Sequence, residues 1–168
     1  GISLTVAGLD DEQPNTPPVA VDDINLSAVV EAGIALQGIP FTSGNLLTND
    51  IDPDVPAGLH VTEVNGQAIG TSISITGTYG TLSVNPDGTW GYMLNDLGPD
   101  TNALPNGELF SEEFTYTVAD AANATDTGAL TITIRGNNDA PVAVADAVGS
   151  AGTAFLGFSG SFNPSNHQ

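Results

Sequence analysis

Apolar side chains along this chain recur at every second position rather than at the spacing of a helix face. Leu82 and Val84, then Trp90, Tyr92 and Leu94, alternate with small or polar residues on either side of Asn85-Pro86-Asp87-Gly88. A turn of that composition between two alternating runs predicts a β-hairpin. Phe114, Tyr116 and Val118 alternate with Thr115 and Thr117, and Leu130, Ile132 and Ile134 alternate with Thr131 and Thr133. A period of two marks a half-buried strand. Ile73 and Ile75 give a shorter strand, and Leu59 with Val61 another; Val64 falls out of step and marks a bulge. About seven such strands joined by turns predict an all-β, immunoglobulin-like sandwich.

A repeat divides the chain. Asn138-Asp139-Ala140-Pro141-Val142-Ala143-Val144 echoes Asn15-Thr16-Pro17-Pro18-Val19-Ala20-Val21, and Leu4-Thr5-Val6 resembles Ile132-Thr133-Ile134. Self-similarity at a fixed offset is the signature of an array. Residues 1–14 are accordingly read as the last strand of a preceding unit plus linker, 15–138 as one complete sandwich, and 139–168 as the start of the next unit and a tail. The end strands, Leu4 to Val6 and Val142 to Val144, are expected to stay out of the middle of the main sandwich.

Composition narrows the possibilities. One Lys or Arg stands against 20 Asp and Glu, for a net charge of −19. Nucleic-acid binding is built from Lys and Arg clusters, so that partner is excluded, and no apolar run approaches the roughly 20 residues of a membrane span. With 40% hydrophobic and only 12% charged residues the chain holds enough apolar surface for a core. Cysteine is absent, which removes disulfides and thiolate metal sites and leaves a hard cation as the remaining external brace.

Asp50-Ile51-Asp52-Pro53-Asp54 offers that brace, since extended backbone points alternate carboxylates the same way. Two carboxylates about 5 Å apart repel by roughly 3 kcal/mol at an effective dielectric of 20, so three together favour a cation. Ca²⁺ accepts six to eight oxygens in irregular geometry. The alternative is a solvated loop whose aspartates cap turns. An EF-hand is excluded, because the twelfth position from Asp50 is Val61 rather than Glu. No nucleophile signature accompanies His60, and Glu112 and Glu113 are strand neighbours that point to opposite faces, so no enzyme is expected. Trp90 and Tyr92 would serve a glycan as a stacking platform, but their alternation with Leu94 reads as core. Asp22 and Asp23 read as a negative edge that guards an exposed strand.

Gly44-Asn45-Leu46-Leu47-Thr48-Asn49-Asp50 running into the aspartate loop, Tyr79-Gly80-Thr81-Leu82, Asn85-Pro86-Asp87-Gly88-Thr89-Trp90, Phe114-Thr115-Tyr116-Thr117-Val118 and Asn137-Asn138-Asp139-Ala140-Pro141 follow one another in order. The series resembles the VCBS family of cadherin-like repeats found in large RTX-type bacterial surface adhesins. The resemblance implies calcium-stabilised sandwiches in tandem, exported to the cell surface and used in adhesion and biofilm formation, with adjacent repeats as partners and host or matrix glycans or proteins reached through other domains. It also implies cation sites between modules. On that pattern Asp50, Asp52, Asp54 and Asp120 are the first candidate ligands, joined by Asp11 and Asn15 of the incoming linker. Glu31, Asn138 and Asp139 would form part of a second site at the opposite end, although Glu31 reads equally well as an ordinary surface residue. A glycan- or peptide-binding module is the alternative function.

Overall fold

In the computed structural model residues 14–33, 37–54 and 58–137 are described. They hold ten strands rather than about seven, in two sheets. The first sheet runs β1 (Asp23–Ile24), β10 (Thr125–Arg135), β9 (Leu109–Ala119), β4 (His60–Val64) and β5 (Gln67–Ala68), with β2 (Val29–Val30) also pairing β10. The second runs β3 (Phe41–Asn45), β8 (Thr89–Leu94), β7 (Gly80–Val84) and β6 (Ile73–Thr76). The surplus over seven consists of two-residue strands that carry no alternation to count. The end strands around Leu4 and Val142 lie outside the described residues.

Alternation decides what faces inward. Phe114, Tyr116 and Val118 of β9 and Leu130, Ile132 and Ile134 of β10 are buried, as are Leu82, Val84, Trp90, Tyr92 and Leu94 from the opposite sheet. Burying each such side chain stabilises the fold by about 1.5–3 kcal/mol. The Tyr92 and Phe114 rings meet across the layers at 6.2 Å. Tyr92 is therefore core, and Trp90 is buried but for a small part of its ring. The hairpin forms at Asn85 to Gly88, where Gly88 has a φ of +80° and its N–H donates to the Asn85 carbonyl at 3.0 Å. In β4 the register shifts between Val61 and Glu63. That bulge lets Val61 and Val64, three positions apart, both enter the core.

Two features position the site. Strand β10 runs 11 residues from the β9–β10 turn to the far pole, antiparallel to all of β9. The incoming segment lies against the aspartate loop: Val19 and Ile51 exchange both backbone hydrogen bonds, at 2.7 and 3.0 Å.

Candidate functional site

At the first pole three pieces of chain meet, namely incoming residues 14–22, loop 49–54 and the β9–β10 turn. Asp54 Oδ2 accepts from the Thr16 N–H at 2.6 Å, and Asp50 Oδ1 from the Val21 N–H at 2.8 Å. Both carboxylates thus face the incoming segment. Asp52 turns away, its Oδ1 accepting from the Asp54 N–H at 2.9 Å as a turn cap. Asp120 is buried; Oδ2 accepts from Asn15 Nδ2 at 2.8 Å and Oδ1 from the Ala122 and Ala124 N–H groups, each at 2.8 Å. The Asn15 bond first, with the turn N–H groups, holds its carboxyl below the usual value. Among the described residues no three His, Asp or Glu side chains are grouped to hold one metal ion. Asp11 lies outside them.

Deeper at this pole hydrogen-bond donors run short. The Tyr116 hydroxyl lies 3.1 Å from the Val21 carbonyl, 3.1 Å from Asp23 Oδ2 and 3.2 Å from Asp50 Oδ1, and one hydroxyl proton serves one acceptor at a time. Asn49 Nδ2 donates to the Val21 and Asp22 carbonyls at 2.8 and 3.2 Å. The other oxygens of this pair, Asn49 Oδ1 and Asp50 Oδ2, are buried with no hydrogen-bond partner. Burial, aided by the charges of Asp50 and Asp22, raises the Asp23 carboxyl to about 6, while its bond from Tyr116 works in the opposite direction. Burial also raises Asp50, and Asp126 adds repulsion. Burial and these two carboxylates push the Tyr116 phenol above its ordinary value, so it remains a donor. The sequence offered none of these as site residues: Tyr116 reads as core by alternation, Asp23 as a negative strand edge, and Asn49 as part of a loop. An oxygen-only donor set with two orphaned oxygens suits a hard cation.

The opposite pole corrects the reading of Glu31 as an ordinary surface residue. Glu31 follows β2 and is fully buried, with Oε2 accepting from the Asn137 N–H at 2.9 Å while Asn137 Nδ2 donates to the Glu31 carbonyl at 3.1 Å. Asp96 Oδ1 accepts from the Ala32 N–H beside it at 2.7 Å. Asn138 and Asp139, expected here, lie outside the described residues. Elsewhere Glu112 is half-buried and receives the Tyr92 hydroxyl, with the Thr78 N–H at 2.7 Å. It links the two sheets. His60 Nδ1 sits 3.2 Å from the Gly58 carbonyl.

A mixed sheet facing an antiparallel one, with carboxylates gathered where the chain enters, defines a cadherin-like module. The model of the bacterial cadherin-like domain family matches residues 15–136, and the chain belongs to that family. It is also similar to the calcium-binding lectin RapA2 of Rhizobium johnstonii, 36% identical over 111 residues. That match covers 62% of this chain and 45% of the relative, so the chain spans less than half of RapA2.

Proposed function

We propose that this chain is a calcium-stabilised, non-enzymatic structural module of a bacterial surface adhesin, an extender that supports cell adhesion and biofilm formation from outside the cell. The observation that carries the reading is the donor-poor pocket of the first pole, where Asp50 Oδ2 and Asn49 Oδ1 are buried without partners beside Asp23. Family membership and a relative named as a calcium-binding lectin support it. Asp50, Asn49 and Asp23 would hold the ion, which would supply the positive charge that the pocket's own groups lack. Asp54 and Asp120 would keep the incoming linker against it through Thr16 and Asn15. In the repeat Asn138 corresponds to Asn15, so it would serve the next module as Asn15 serves this one, with Asp139 beside it and Glu31 anchoring Asn137 behind.

Ligand binding to the folded state alone contributes about 2.7 kcal/mol at a hundredfold excess over Kd. At roughly 2–4 °C per kcal/mol, chelation should lower the melting temperature by about 5–11 °C. Asp50→Asn should abolish most of the calcium response, whereas Asp87→Asn in the β7–β8 turn should leave it intact. Identical melts in calcium and in chelator would reject the reading. A second reading, in which the module itself binds a glycan, is favoured by the relative's name; a glycan array run with calcium and with chelator tests it.

A further inference from the structure

The two open flanks of the first sandwich seam are treated very differently. The outer edge of β10 is sealed: β1 and β2 pair along it, Asp22 Oδ1 accepts from the Ala129 N–H at 2.9 Å, and Asn25 Oδ1 from the Thr133 N–H at 2.8 Å. Among the described residues the outer edge of β3 is bare. The Leu94 N–H donates to the Pro40 carbonyl and the Leu46 N–H to the Gly88 carbonyl, which fixes the even-numbered residues as those that bond β8. Phe41 and Ser43 therefore turn their backbone N–H and C=O groups outward, as Asn45 does its N–H, and no described residue takes them; the Asn45 C=O caps the 3-10 turn Leu46–Thr48. Between this edge and β1 lies a cavity of about 260 Å³ lined by Asp23, Ile24, Leu26, Ser43, Gly44 and Trp90. Its floor is the indole, which is visible because position 44 is glycine: a Cβ there would lie 2.9 Å from the ring. Its lip is apolar, with Leu26 fully exposed and Ile24 65% exposed.

We infer that β3 accepts an added strand, an extended segment of a partner polypeptide that pairs with Phe41, Ser43 and Asn45, sets an apolar side chain over Trp90 between Ile24 and Leu26, and carries basic residues at one end. An edge strand presents a ready template for such pairing, and alternate side chains give it specificity. Charge identifies the partner as basic. The stretch from Phe41 to Thr48 has no charged residue in a chain of net charge −19. Asp23 lines the cavity, and the Asp87 carbonyl is held by Asn45 Nδ2 at 3.0 Å, so both acids lie at the Asn45 end of the cavity. A second copy would bring the same negative charge to that end. Asp23 also borders the proposed cation pocket, so the test is made in chelator, where the failure of one reading leaves the other standing.

Trp90 is the only tryptophan in the sequence, so its fluorescence reports occupancy directly. The probe is a capped seven-residue peptide that alternates valine with threonine and begins with two lysines, which antiparallel pairing places beside Asp23 and Asp87. Titration in chelator should give a saturable shift of the emission. The same peptide with glutamates for the lysines, or with proline at its pairing positions, should bind at least tenfold more weakly. Ser43→Pro, whose N–H faces outward, should weaken binding tenfold or more, and Ser74→Pro on the outer strand β6 should change it less than twofold. Leu26→Asp alters a fully exposed side chain, keeps the fold, and should weaken binding to a similar degree, so it decides the matter if Ser43→Pro does not fold. No shift at millimolar peptide, or undiminished binding by Leu26→Asp, overturns the proposal. So does a dimer of the protein alone that Ser43→Pro dissociates, because the occupant is then a second copy.

Discussion

Tyr116 does two jobs with one side chain, and its neighbours make those jobs separable. Its ring fills the core opposite Gly128 of β10, where a Cβ would lie 2.6 Å from the ring and hydroxyl. Its hydroxyl is the sole side-chain donor aimed at both Asp23 and Asp50 among the described residues. Tyr116→Phe keeps the ring and removes the donor, leaving acceptors underserved; unfolding in chelator should show a loss of about 1–3 kcal/mol. Calcium should restore part of that loss, since the ion serves the same oxygens. Gly128→Ala acts on the ring instead. Overpacking of that kind costs about 1–3 kcal/mol, and here it should also displace the hydroxyl, so the calcium response in a thermal melt should weaken together with stability.

Among the elements, the long strands were legible and the short ones were not. β9 and β10 announce themselves through three apolar residues each at a period of two, and the Val61 to Val64 misstep correctly marks the bulge in β4. β1 and β2 have two residues apiece and pair parallel to β10, a long-range partnership that no local pattern encodes. The same limit applies to the site. Asp50, Asp52 and Asp54 were visible as an alternating acidic loop, yet whether Asp52 faces the linker or caps its own turn depends on local backbone geometry. Glu31 looked like surface because charged residues are seldom buried; its burial follows from Asn137, 106 positions away. Asp22 and Asn25 behave as edge guards, each accepting an N–H of β10 on a side-chain oxygen. Replacing both with alanine should expose that edge and raise the light scattering of a concentrated solution at equal folded fraction.

For the molecule as a whole, the carboxylates set a pH dependence whose sign follows from burial. Asp23 titrates near 6 in the folded protein, above its ordinary value of 3.8. Between about 4 and 6 the folded state therefore holds more protons than the unfolded state, and stability falls as pH rises through that window. Asp50 shifts in the same direction. Asp120 and Asp87 shift downward, so what they contribute is present above about 4 and is lost in stronger acid. In chelator the urea midpoint should be higher at pH 5 than at pH 7.5, and calcium should shrink the difference. Because Asn15 and Asn137 both make anchoring contacts, a chain cut to residues 14–137 should melt cooperatively at a temperature close to that of the full sequence.

The parallel pairing of β1 and β2 with β10 has a mechanical consequence. The incoming segment enters at the β9–β10 turn and β10 leaves at the far pole, so tension on the two ends pulls β1 and β10 in opposite directions along their own axes. Their hydrogen bonds, together with the Asp22 and Asn25 braces, are then loaded in shear and must break together rather than one after another. Stretched singly, the module should yield in one abrupt event, and alanine at Asp22 and Asn25 should lower the force at which it does so.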